Sequence, residues 1–185
     1  MLFYVKKYWW LELLVTAVLA GLGLGGIYYF NIQINAPPSL SVLALGAAWA
    51  AGLTIWTFAV QGGYALFRGH KYADELTRSL AKEYAGASYL QAFMGGMTAA
   101  LGEEVFFRGF VQNQWGIWAG VLLFGLAHFG KKDIRVVSGW SFMHGLIIGL
   151  SYHYSGNLLV PMIAHGGFDL GGVIYFKLIM RKAPK

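Results

Sequence analysis

Leu101-Gly102-Glu103-Glu104-Val105-Phe106-Phe107-Arg108-Gly109-Phe110 sets three charged side chains into a run, residues 87 to 112, that is otherwise largely apolar. An ionisable side chain near the middle of a bilayer helix costs about 2.5 to 3.5 kcal/mol on insertion scales, so each one demands a partner or a function. On an α-helix Glu104 and Arg108 share a face and can neutralise each other where water is scarce. Glu103 lies about 100° round the helix and projects to a different neighbour, a desolvated carboxylate placed to act as a general base. A buried ion pair that only fixes helix packing accounts for Glu104 and Arg108 and leaves Glu103 unexplained.

The rest of the chain supports a membrane setting for that helix. Of its 185 residues 57% are hydrophobic and 12% charged, with mean hydropathy +0.54, against about 25% charged in soluble domains. The net charge of +6 is spread over short basic clusters between apolar runs. That distribution speaks for membrane topology and against nucleic acid as a partner. Cysteine is absent, so thiol chemistry, disulfides and cysteine-based zinc sites are excluded, and a hydrolytic mechanism must use carboxylates, histidines or hydroxyls.

Six apolar segments can be drawn, at about 8–30, 40–67, 87–112, 115–130, 137–154 and 157–180, on the requirement of roughly 17 to 25 residues per span. The first is too long for a signal-peptide core and is read as a retained span. Basic residues fall in alternate connections: Lys6 and Lys7; Arg68, Lys71, Arg78 and Lys82; Lys131, Lys132 and Arg135; Lys177, Arg181, Lys182 and Lys185. The positive-inside rule then puts both termini in the cytoplasm. Residues 69–86 suit a surface amphipathic helix. Without an internal repeat or long linker, the expectation is one all-α, polytopic helical bundle over residues 1–185, with its chemistry in 88–175.

Further polar positions fall at a similar depth. If the third and fourth segments turn near Gly116, Glu104 and His128 are each about 18 Å from the tip. His165 and Asp169, counted from the turn at Asn157, reach about 12 and 18 Å. Asp169, four residues beyond His165, can accept a hydrogen bond from the imidazole and fix which nitrogen faces inward. Two histidines level with paired carboxylates point to chemistry where a lone one would point to packing. Glu12 is expected to reach the headgroups, Gln61 and His144 to bridge helices, and His153 to lie at the interface; His144, at the same depth, is also suited to serve as an extra ligand.

These residues resemble the CPBP intramembrane proteases, a family that includes CAAX prenyl proteases and Abi-like bacteriocin-processing or immunity enzymes. Its motifs E-E-x-x-x-R, F-x-x-x-H and H-x-x-x-N/D, each on its own membrane helix, match Glu103-Glu104 with Arg108, Phe124 with His128, and His165 with Asp169, in that order over roughly residues 88–175. The resemblance implies peptide-bond hydrolysis within the membrane by a glutamic-type endopeptidase. Glu103 and His128 then activate a water, His165 with Asp169 stabilises the oxyanion, and Glu104 with Arg108 is the supporting pair. The family's larger members have more spans and a wider Glu-to-His spacing, which leaves the substrate class open.

The resemblance implies no cofactor. Glu103, His128 and His165 are also a set of zinc ligands, so metal-activated water stands as the alternative. The expected partners are the lipid bilayer and a membrane-embedded protein or a lipidated or C-terminal peptide tail, in a prokaryotic cell membrane. Two other classes compete: a proton-coupled carrier or channel subunit, since intramembrane Glu, His and Asp also make proton relays, and a non-catalytic immunity or chaperone-type protein on the same fold.

Overall fold

The computed structural model describes residues 9–68, 88–128 and 134–182. Among them it is all-helical, without strands. Helix α1 is Trp9–Tyr29, α2 is Leu40–Arg68, and α3 is Tyr89–Glu104, which runs on without a break through a π-helical segment, Val105–Gln112, and a last α-turn, Asn113–Trp115. After Gly116 come α4 (Ile117–Ala127), α5 (Ile134–Ser155) and α6 (Leu159–Lys182). The six helices coincide with the six apolar segments. The 69–86 segment, Lys131 and Lys132 lie outside the described residues, as do the side chains of Glu12, Gln61, Arg68, Arg135, Lys177, Arg181 and Lys182.

Local chemistry sets the ends. Ser88 opens α3 with a reciprocal cap: its hydroxyl accepts from the Gln91 amide at 3.1 Å and its own amide donates to Gln91 Oε1 at 2.8 Å, which satisfies donors that an open helix end leaves unpaired. Gly116 closes the α3–α4 turn at φ 86°, a conformation that costs glycine nothing and an L-residue a great deal. Asn157 begins α6 by accepting from the Leu159 amide at 2.9 Å, and its amide nitrogen donates to the Pro37 carbonyl at 3.0 Å. The stretch around Asn35–Pro38 that breaks the chain after α1 is thereby tied to the α5–α6 turn.

The α3–π element is the hub. It packs against α1, α4, α5 and α6, while α6 packs in turn on α2 and α5. Two glycines allow α1 to approach closely. A Cβ at Gly23 would stand 2.9 Å from the Phe106 backbone, and one at Gly102 would stand 2.7 Å from the Thr16 carbonyl oxygen.

The bundle buries a polar centre among apolar side chains and leaves many large apolar side chains exposed. Glu103, Glu104, Arg108, Gln112, His144 and His165 are buried, whereas Leu14, Leu22 and Leu24 of α1, Ile55 of α2, and Leu122 and Leu126 of α4 are exposed. Soluble proteins sort these residue types the other way, so this inversion suits apolar surroundings. Over Leu40–Val60 the chain is long and apolar enough to cross a membrane, with a mean hydropathy of 1.6; Leu13–Tyr29 and Ile117–Ala127 are shorter apolar helices.

Candidate active site

The wider π-helical turn begins directly after the carboxylate pair. In such a segment the backbone bonds shift from i→i+4 towards i→i+5, and single turns of this kind recur at functional sites. Asn113 steadies its end, its amide nitrogen lying 2.9 Å from the Arg108 carbonyl, 3.0 Å from that of Gly109 and 2.8 Å from the Tyr152 hydroxyl on α5. Sequence spacing predicts the ion pair on a regular α-helix through residue 108, whereas Val105–Gln112 is π-helical. The pair survives the change: Arg108 Nη1 donates to Glu104 Oε1 at 3.0 Å, with both side chains buried.

Arg108 has further anchors. Its Nη2 donates to the Gly145 carbonyl of α5 at 2.9 Å, and its Cζ lies 4.7 Å from the centre of the Phe124 ring. Gln112, one turn on, donates to the Gly149 carbonyl at 2.9 Å. The α3–π element is thus bonded to α5 through two backbone carbonyls that no side-chain pattern marks in the sequence.

The two glutamates point at different histidines. Glu104 Oε1 accepts from His165 Nδ1 at 2.7 Å, which joins α3 to α6. Glu103 faces α4, its Oε2 standing 4.0 Å from His128 Nε2. His128 terminates α4, and its Nδ1 lies 2.8 Å from the Phe124 carbonyl. Carbonyl oxygen only accepts, so that contact puts the proton on Nδ1 and leaves Nε2 as the acceptor edge turned towards Glu103.

His165 is fixed differently from the sequence expectation. Asp169 stands at 3.6 Å from His165 Nε2, beyond hydrogen-bonding range, and the short bond that sets the ring is the one to Glu104. The depth count along the helices sets Glu104 level with His128; in the geometry Glu103, one residue earlier, is the glutamate that faces His128, the pairing that the family resemblance implies.

Phe124 stands at the centre of this cluster. Its ring stacks on His128 at 4.5 Å between centroids, with His144 at 6.0 Å and an interplanar angle of 11°, and meets His165 edge-on at 6.0 Å. Glu103, Glu104, Arg108, His128, His165 and Asp169 are therefore brought to one locus on three helices. His144 and the Gly145 carbonyl add a fourth, α5.

Several buried polar atoms in the locus have no hydrogen-bond partner: Glu103 Oε2, Glu104 Oε2, Arg108 Nε and His144 Nε2. Such atoms are uncommon in native interiors, and each calls for an explanation such as a catalytic role or a bound water. For Glu103 Oε2 the geometry supplies one, since a water about 2.8 Å from both it and His128 Nε2 would be gripped at an ordinary angle of roughly 90°. For zinc the fit is poorer: His165 is turned to Glu104 and Asp169, and no three His, Asp or Glu side chains among the described residues form a group that could hold a metal ion.

Among the described residues, an all-helical bundle with a buried carboxylate–histidine–arginine centre defines the class: a protein that keeps reactive polar groups inside an apolar scaffold. The sequence of the chain also shows which family it is similar to. Residues 85–171 match the family model of type II CAAX prenyl endopeptidases, Rce1-like, in agreement with the resemblance to the CPBP intramembrane proteases carried by the three motifs. That family is membrane-embedded and its chemistry is peptide-bond hydrolysis. The chain is also 38% identical over 71 residues to the uncharacterized protein YpbD of Bacillus subtilis (strain 168), a stretch covering 36% of this chain and 35% of that protein. The matched region thus spans about a third of that curated relative's length. No solved structure matches the chain.

Proposed function

We propose that this protein is an intramembrane endopeptidase of the glutamic type, and that the Glu103–His128 pair activates the attacking water. The observation that carries the reading is the 4.0 Å separation of Glu103 Oε2 from His128 Nε2, with the carboxylate oxygen buried and without a hydrogen-bond partner. Glu103 takes a proton from the water as its oxygen adds to the scissile carbonyl, and His128 Nε2 orients that water. His165, donating through Nδ1 to Glu104 and flanked at Nε2 by Asp169, serves the developing oxyanion as the imidazolium, through Nε2–H. Arg108 and Glu104 hold the constellation in place from behind.

The step is metal-independent in this reading, a choice supported by the engagement of His165 with Glu104. The chain crosses the membrane several times with both termini in the cytoplasm of a prokaryotic cell. The substrate is a membrane-anchored protein or a lipidated or C-terminal peptide tail.

The test uses purified protein in detergent with two probes, a farnesylated CAAX-tail peptide and an unprenylated single-span tail peptide. Cleavage of either by the wild type, lost in Glu103→Gln and in His128→Ala, is the expected result; general-base contributions of about 10²- to 10⁴-fold make the loss easy to read. Cleavage that persists undiminished in Glu103→Gln would remove this carboxylate from the mechanism.

A further inference from the structure

His144 lies on α5, outside the three motifs, and the mechanism above does not use it. Its ring is packed among aromatic neighbours: Phe124 stacked at 6.0 Å, Phe168 edge-on at 4.8 Å, and His165 edge-on at 5.2 Å. It is 7% exposed, and its Nε2 is buried with no hydrogen-bond partner. A phenylalanine would fill this aromatic niche without an orphaned nitrogen, whereas an unsatisfied buried polar atom costs about 1 to 3 kcal/mol. Packing alone does not account for an imidazole here.

Its place among the helices suggests the partner. His144 touches the ring of His165, at the end of the site assigned to the oxyanion, while the water-activating groups Glu103 and His128 belong to α3 and α4. The next residue, Gly145, accepts Arg108 Nη2 at 2.9 Å, so the backbone that carries His144 is pinned to the centre of the site. A neutral imidazole can polarise a carbonyl by donating a hydrogen bond without giving up its proton.

We infer that His144 is a second oxyanion donor beside His165, binding through Nε2–H the carbonyl oxygen of the scissile peptide; this rests on the peptidase reading above. As the bond from water oxygen to carbonyl carbon forms, the released proton goes to Glu103 and the carbonyl π pair moves onto oxygen. His144 holds that oxygen and transfers nothing. When the C–N bond breaks, the oxyanion's electron pair re-forms the carbonyl, the C–N pair leaves on the amine nitrogen, which takes the proton back from Glu103, and the hydrogen bond from His144 relaxes.

His144→Phe keeps the aromatic stack and removes the donor, and His144→Gln restores an N–H of comparable reach. With whichever of the two tail peptides the wild type cleaves, His144→Phe is expected to lower kcat by about 10²-fold, the usual effect of deleting one oxyanion donor, with KM little changed and thermal stability equal to or above that of the wild type. His144→Gln should recover part of kcat. Unchanged kcat in His144→Phe, alongside a Glu103-dependent wild type, overturns this assignment alone. A kcat loss that tracks a fall in melting temperature and is not relieved by glutamine also overturns it, in favour of a packing role. Should the wild type show no Glu103-dependent cleavage of either peptide, the peptidase reading fails and this assignment with it.

Discussion

Replacing Arg108 by methionine is the most demanding perturbation of the buried centre. The substitution keeps much of the side-chain volume and removes a guanidinium that donates to Glu104 Oε1 at 3.0 Å and to the Gly145 carbonyl at 2.9 Å, and that sits 4.7 Å from the Phe124 ring centre. Hydrogen bonds to charged groups contribute about 1.5 to 3 kcal/mol each, and a desolvated cation–π contact about 2. These terms are not additive, because Glu104 keeps its 2.7 Å bond from His165. The figure to expect is that for breaking one buried pair, a loss of about 3 to 5 kcal/mol, enough to consume much of the usual 5 to 15 kcal/mol of net stability. Reversible unfolding in detergent measures it, with the cycle completed by Glu104→Gln and the double variant. Glu104→Gln combined with Arg108→Met leaves no stranded charge and should be more stable than Arg108→Met alone. A loss below about 1 kcal/mol in the single variant, or a double variant no better than the single, would refute the buried-pair argument.

Three other outcomes are expected. Gly23→Ala should destabilise by about 1 to 3 kcal/mol, because its Cβ would meet the Phe106 backbone at 2.9 Å, while Gly21→Ala, with nothing within 4 Å, should be neutral or stabilising; thermal unfolding of the two variants side by side decides it. Single cysteines placed at Gln114, Ser155 and Lys132 of this cysteine-free chain, labelled in intact cells with an impermeant thiol reagent, should react at the first two only, and the reverse pattern would invert the topology and make a cytoplasmic CAAX-type tail the favoured substrate. Chelation should leave peptide cleavage unchanged, and loss of activity restored by zinc would overturn the metal-independent step.

Most of the fold was legible because breaks in apolar runs are strong signals. Asn35–Pro38, Gly116 and the Ser155–Asn157 turn fall between helices as the sequence suggests. Rotation of each helix about its axis was not legible. In α4, Val121 and Phe124 are buried while Leu122, Leu123 and Leu126 are exposed, yet all are apolar, so periodicity does not separate the core face from the outer one. That is why the facing of Glu103 to His128 and of Glu104 to His165 could not be derived from depth alone. The π-helical segment over Val105–Gln112 leaves no compositional trace either, since the run Val-Phe-Phe-Arg-Gly-Phe is equally compatible with a regular helix. The Gly145 and Gly149 carbonyls, which bind Arg108 and Gln112, are backbone atoms and invisible to any reading of side chains.

The geometry assigns different duties to two carboxylates that are adjacent in the chain. Glu104 is committed on one oxygen to both Arg108 and His165, so it joins the π segment to α6 and contributes mainly to the form of the site. Glu103 makes no such bond, and His128 Nε2 stands 4.0 Å from its Oε2. An isosteric amide at Glu103 breaks no protein hydrogen bond, and removal of a charge that has no hydrogen-bond partner should leave stability within about 0.5 kcal/mol of the wild type or raise it. At Glu104 the amide instead faces Arg108, leaves the guanidinium without its counter-charge, and weakens the bond that orients His165. Activity and stability should therefore separate: Glu103→Gln folds and does not turn over, whereas Glu104→Gln loses stability as well as rate. If both variants lost stability equally, Glu103 would be as structural as its neighbour, and the water-activating role would have to pass to another group. A stable and inactive Glu103→Gln would mark the unpaired member of the glutamate pair as the one kept for chemistry.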